Sequence, residues 1–169
     1  MTQLEILNNK MLTLGQLPGK LAYWRFHNQR IVFTNGVFDL LHRGHIEYLA
    51  GARDLGDMLI VGLNADVSVK LLGKGPTRPL QDEHSRATIL AALHFVDAIV
   101  LFEEETPYNL IKAVQPDVLV KGGDYKVEEI VGHDIVQARG GEVVLMDFVA
   151  GHSTTNLENT LNSERDGEG

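Results

Sequence analysis

The sequence predicts an α/β domain, a doubly wound sheet of five parallel strands with helices on both faces. Three observations predict it. From Arg30 onward, short β-branched apolar runs alternate with longer segments of helical spacing, the pattern of repeated strand-helix-strand units. Each run is apolar on both sides, as strands buried between two helical layers are. No internal repeat or low-complexity tract interrupts the alternation.

The strands are read at Ile31–Thr34, Met58–Leu63, Ala98–Phe102, Val118–Val120 and Val143–Met146. Between them, Gly44–Leu55 carries Ile46, Leu49, Ala50 and Leu55 at near-helical spacing, and Asp82–His94 places Ile89, Leu90 and Leu93 on one face. Thr106 followed by Pro107 reads as an N-cap with proline in the first turn, opening a helix that runs through Val114 and stops before Pro116. A last helix is expected after Ser153. Leu4–Leu17 is a further amphipathic helix candidate that covers a sheet edge or pairs with another subunit. The organisation is therefore a helical N-terminal extension over 1–29, one Rossmann-like domain over 30–162, and a polar, glycine-bearing tail over 163–169.

Composition narrows the function. A length of 169 residues with 44% hydrophobic content suits a single well-filled core. The formal net charge of −8 argues against a dedicated nucleic-acid binder, which needs a basic face to neutralise phosphates. Absence of cysteine removes disulfides, thiolate nucleophiles and cysteine-based zinc sites. The N-terminal stretch lacks the basic start and apolar run of a signal peptide, and no apolar run approaches membrane-spanning length, so a cytoplasmic protein without membrane contact is expected.

The chemistry concentrates where the first strand ends: Thr34, Asn35, Gly36, Val37, Phe38, Asp39, Leu40, Leu41, His42, Arg43, Gly44, His45. In open α/β sheets, ligands bind outside the carboxyl ends of the strands, where a helix N-terminus offers free N–H groups to an anion. His42 and His45, three residues apart, share a face of one helical turn, and Gly44 between them admits a ligand to the backbone. Two imidazoles so placed can donate hydrogen bonds to oxygens that gain charge at a five-coordinate phosphorus. The HxGH spacing alone favours a cap and a packing residue; its place after the first strand favours chemistry. A zinc site is a weaker reading, because no third ligand lies nearby.

Further along, Asn64 and Asp66 end the second strand on the same sheet edge, where they serve equally as a helix cap. Lys70, Lys74, Arg78 and Arg86 form a basic stretch broken by Gly73, Gly75, Pro76 and Pro79, which suggests a lid over phosphates, with Lys70 a solvated surface charge. Lys121, Gly122, Gly123, Asp124 and Tyr125 follow a strand, where the paired glycines permit close backbone approach or simply turn the chain. Ser153, Thr154 and Thr155 open the last helix, as an anion site or a plain cap.

The stretch TNGVFDLLHRGH resembles the signature of the cytidylyltransferase-like superfamily with its HxGH nucleotidyltransferase fold. LIVGLNADVSVK, GPTRPLQDEHSRATILAAL, VDAIVLF, PDVLVKGGDY and HSTTN, in that order, resemble the adenylyltransferases that make ADP-heptose from heptose 1-phosphate for lipopolysaccharide precursors. The resemblance covers about residues 30–160. Val37 and His152 stand where relatives often carry cysteine, and the lysine loop is one residue longer. Many relatives carry a fused ribokinase-like sugar kinase; this chain is expected to be the stand-alone transferase.

The resemblance implies His42, His45 and Lys74 as catalytic groups. It places Thr34, Asn35, Gly36, Phe38, Gly44, Asn64, Asp66, Gly122, Asp124, Ser153, Thr154 and Thr155 around the nucleotide, and Asp39, Arg78 and Arg86 around the sugar phosphate. ATP enters with Mg2+, a protein-bound metal site is not identified, and a homo-oligomer is left open. Residue chemistry by itself fixes neither base nor acceptor: glycerol phosphate, ethanolamine phosphate or phosphopantetheine with CTP or ATP, and a regulatory module that binds nucleotide without turning it over, stay as alternatives.

Overall fold

Six strands, not five, build the sheet in the computed structural model, which describes residues 1–73 and 75–146. The added strand comes from the N-terminal segment. Helix α1 (Gln3–Asn8) opens on a reciprocal capping box: the Thr2 hydroxyl accepts the Glu5 amide at 3.2 Å, and the Glu5 carboxylate accepts the Thr2 amide at 2.6 Å. It stops at Asn8 and Asn9, poor helix formers that favour turns. Strand β1 (Met11–Leu12) follows and pairs in parallel with β4 (Ala98–Phe102). The single helix expected over Leu4–Leu17 is thus corrected to a short helix and an edge strand. Leu4, Leu7, Met11 and Leu14 mimic one helical stripe, but Leu4 and Leu14 are exposed.

Helix α2 (Leu17–Phe26) begins with Pro18 in its first turn and buries Leu17, Leu21 and Trp24, spaced four and three residues apart on one face. These three side chains of α2 therefore join the domain core. After them come β2 (Ile31–Gly36), α3 (Arg43–Arg53), β3 (Met58–Asn64), α4 (Asp66–Leu71), α5 (Glu83–Ala91), β4, α6 (Tyr108–Val114), β5 (Val118–Gly122), α7 (His133–Ala138) and β6 (Glu142–Met146). Asp82 caps α5 by accepting the Ser85 amide. Helix α6 starts one residue later than expected, with Pro107 rather than Thr106 at the cap position and its carbonyl accepting the Ile111 amide at 2.8 Å. The segment after Met146, including the expected last helix and the tail, lies outside the described residues.

All pairings are parallel, in the order β1-β4-β3-β2-β5-β6. Alternation along each strand divides the core in two. Ile31, Phe33, Ile60, Val100 and Leu119 pack with α2, α6 and α7, whereas Val32, Leu59, Val61, Leu63 and Val120 pack with α3 and α5. Each such fully buried aliphatic side chain contributes roughly 1.5–3 kcal/mol relative to exposure. The chain steps from β2 to β3 to β4 on one side, then crosses to β5 on the other side of β2. Strand order reverses between β2 and β5, the switch point where two loops leave the sheet and a crevice opens.

Candidate active site

The loop from β2 to α3 delivers the histidines to that crevice. His42 is the N-cap of α3 in extended conformation, and its carbonyl accepts the His45 amide at 2.9 Å. The two imidazoles stack with centroids 3.8 Å apart and planes 26° apart. Phe38 meets His45 edge-on at 5.3 Å. Phe38 holds φ at +47°, a left-handed conformation that costs a bulky side chain energy, and it turns the ring back over Gly36. A Cβ on Gly36 would lie 2.9 Å from that ring, so glycine is required there by the close approach.

Charge cannot sit comfortably on both rings. Burial, then the neighbouring His42, lower the His45 pKa to about 4, with the Leu40 backbone acting in the opposite direction. His45 is neutral at physiological pH, and its Nδ1 is buried. A neutral imidazole still presents one N–H donor.

Around the pair, the loops are fastened by two ion pairs. Asp39, 7% exposed, accepts the Leu80 and Gln81 amides and the Arg78 guanidinium, the last at 2.6 Å, while its own carbonyl accepts Gln81 Nε2. Burial opposes ionisation of Asp39, yet those two amides and Arg78 outweigh it and hold the carboxyl below the usual carboxylate range. Arg86, only 1% exposed, donates to the carbonyls of Gln81, Val37 and Asn64 and to the Asp66 carboxylate. It joins three loops at the carboxyl edge.

The sequence-expected residues thus fall into distinct groups. His42, His45, Phe38, Gly36 and Gly44 form one cluster at the first turn of α3. Asp39 and Arg78 are paired with each other, and Arg86 is committed inside the protein; a phosphate contact by Arg86 would require its network to break. Asn64 donates to Ser68 and Asp66 receives Arg86, so both organise the start of α4. Thr34 is fully buried against Tyr48, whereas Asn35 accepts from Lys121 Nζ across the crevice at 3.4 Å. Gly122 ends β5 and Asp124 is exposed beyond Gly123, whose φ is +111°. Lys74, Ser153, Thr154 and Thr155 lie outside the described residues.

Sequence reasoning missed Gln81 and Tyr48. Tyr48 follows His45 by three residues and shares its helical face, a signal that was available; the contacts of Gln81 depend on loop packing and left none. Among the described residues no group of three or more His, Asp or Glu side chains could hold a metal ion, and no helix is long and apolar enough to cross a membrane.

The cytidylyltransferase-like family model matches residues 33–158. The bifunctional protein HldE of Bradyrhizobium sp. (strain ORS 278) is 54% identical over 151 residues, covering 89% of this chain and 31% of that protein. HldE of Caulobacter sp. (strain K31) is 56% identical over 153 residues, with 89% and 31% covered. The chain spans about a third of the length of these curated relatives. A crystal structure of the lipopolysaccharide core biosynthesis protein from Thermoplasma volcanium GSS1 superposes with a TM-score of 0.59 at 32% identity, covering 72% of this chain and 97% of that one. A pantoate-beta-alanine ligase from Francisella tularensis, 16% identical with a TM-score of 0.57 over 81% of this chain and 66% of that one, shares the fold alone. With the histidine turn at the switch point and the family model matching most of the chain, the chain belongs to the cytidylyltransferase-like family.

Proposed function

We propose that this domain transfers the adenylyl group of ATP to heptose 1-phosphate, giving ADP-heptose and pyrophosphate. The observation that carries the nucleotidyl-transfer class is the stacked His42–His45 pair on the first turn of α3, at the crevice between β2 and β5, in a cytidylyltransferase-like chain. An oxygen of the sugar phosphate attacks the α-phosphorus in line; the bond to the bridging oxygen of the β-phosphate breaks, and pyrophosphate departs with that electron pair. The attacking oxygen is already anionic, so no base has to remove a proton from it. Neutral His45 and its neighbour are suited to the remaining task, donating hydrogen bonds to the α-phosphoryl oxygens as charge builds on them. Positioning supplies most of the rest.

Asp39 and Asp66 already serve Arg78 and Arg86. In this reading Mg2+ comes in with the triphosphate. The heptose acceptor is supported by the ordered sequence blocks from LIVGLNADVSVK to HSTTN, and the 32% identical Thermoplasma volcanium protein is described as a lipopolysaccharide core biosynthesis protein. Lys74, Ser153, Thr154 and Thr155 join the site in this reading on sequence grounds. A paired pyrophosphate-release assay tests it: ATP with heptose 1-phosphate should far outpace CTP with glycerol phosphate. Equal or inverted rates would discard the heptose acceptor. His42→Ala and His45→Ala should each lower turnover on the order of a hundredfold to a thousandfold, the cost of removing an oxyanion donor, with folding retained.

A further inference from the structure

The ladder between β2 and β5 ends early. Strand β2 pairs with β3 along its whole length, from Ile31 to Gly36, but with β5 only at Val32↔Val118 and Phe33↔Leu119. Beyond Leu119 the two strands no longer bond, although Val120 and Gly122 continue β5 and Thr34 to Gly36 continue β2. Buried backbone groups left by such a parting need other partners. Tyr48 of α3, 7% exposed, supplies one for the Val120 carbonyl. Its hydroxyl lies 2.7 Å from Thr34 Oγ1 and 3.2 Å from the Val120 carbonyl oxygen. A carbonyl only accepts, so the single phenolic proton goes to Val120, and Thr34 must donate to the phenol oxygen. The Gly122 backbone also bonds to Tyr48, in the sense that favours the phenolate. One hydroxyl thus bridges the Thr34 side chain of β2 to the Val120 backbone of β5, tying both walls of the crevice to the helix that carries His45.

We infer that Tyr48 is a positioning residue that props open the cleft between β2 and β5 and sets the seat of His45 over it, through its hydroxyl bonds to Thr34 and Val120. The inference rests on the proposed nucleotidyl transfer for its kinetic consequence, while its structural part stands without it. Tyr48 gives up no proton in the reaction: burial pushes its pKa up to about 12, despite the Thr34 and Gly122 bonds acting in the opposite direction. Its ring also fills the core on the α3 side of the sheet, so the hydroxyl has to be removed without the ring.

Tyr48→Phe does this. It should lower kcat about tenfold with KM for both substrates changed by less than about threefold, because the substrates still bind while the α3 turn is held less well. Thr34→Val should behave alike, and the double variant should be no worse than either, since both remove one network. Independently of any activity, the imidazole resonances of His42 and His45 in the ligand-free protein should shift in Tyr48→Phe, and the His45 titration midpoint should move. A merely structural hydroxyl would lower the melting temperature while kcat of the folded fraction and both imidazole signals stayed as in the wild type, and that result overturns the inference. If the wild-type protein transferred no nucleotidyl group to any phosphate acceptor, the functional proposal would fall, and the imidazole resonances alone would still decide the role of Tyr48.

Discussion

At the scale of single residues, the neutral imidazole of His45 sets a dependence of stability on pH. Between an ordinary histidine value of 6.5 and its lowered value of about 4, the unfolded chain binds a proton at this position that the folded chain refuses. The unfolded state then holds more protons, so stability falls as pH is lowered through that window and is complete above about 6.5. Asp39 acts lower on the scale, because a carboxyl held below its usual range contributes stability that disappears only once pH drops through the folded value. Urea unfolding of the wild type at pH 7.5 and pH 5 should show a loss that His45→Gln largely removes. An identical loss in both proteins would mean that His45 is not the group that titrates. An anion beside His45 would favour the protonated ring, so bound phosphate should weaken the acid sensitivity as well.

At the scale of elements, the loops rather than the strands separate what was legible from what was not. Strands β2 to β5 announce themselves as apolar β-branched runs because they are largely buried, and the edge strand β6 is read from its Val-Val-Leu-Met run although its residues are only partly covered. Strand β1 could not, since two residues carry no alternation and the leucines around it keep a helical spacing. The histidine turn was readable because its residues are contiguous. Arg86 shows the limit: similarity of motif points to a phosphate, but the side chain is inside, holding the carbonyls of Val37, Asn64 and Gln81 and the carboxylate of Asp66. These partners lie 5 to 49 residues away, so only folding brings them together. Arg86→Ala should therefore destabilise by roughly 3–5 kcal/mol, the cost of breaking a buried charged network from one side. Arg86→Lys should recover little, because an ammonium cannot reproduce the planar fork that reaches several acceptors at once. Normal thermal unfolding in Arg86→Ala combined with lost substrate affinity would instead make it a ligand contact.

At the scale of the whole molecule, the residues proposed for chemistry gather at one edge of the sheet, and side-chain ties between strand starts gather at the other. At the amino end, Asp57 accepts the Arg30 amide, Asp117 accepts the Ile31 amide, and Arg30 pairs with Glu142, so side chains tie the strand starts together. At the carboxyl end Asp39 and Arg86 bond loop to loop, Tyr48 of α3 bonds β2 and β5, and the ladder between β2 and β5 ends. Ligand binding at a switch point should consequently be felt across the crevice and not along the strands. Nucleotide at a hundredfold excess over its dissociation constant stabilises the folded state by about 2.7 kcal/mol. Amides that exchange only through global unfolding, such as those of β2 and β3 in the sheet centre, should slow by that common factor. Segments 36–42 and 122–125 flank the crevice, and segment 72–81 carries Gly73 and Gly75 at φ of +64° and +106° with open space about them. These exchange through local openings, so protection there reports direct contact. Hydrogen exchange with ATP and heptose 1-phosphate together should protect all three segments beyond the effect on the strands, and leave the Asn28–Arg30 and Gly140–Gly141 turns at the amino edge unchanged. Protection confined to the amino edge, or absent from segments 36–42 and 122–125, would place the ligand elsewhere and remove the crevice as the site of chemistry.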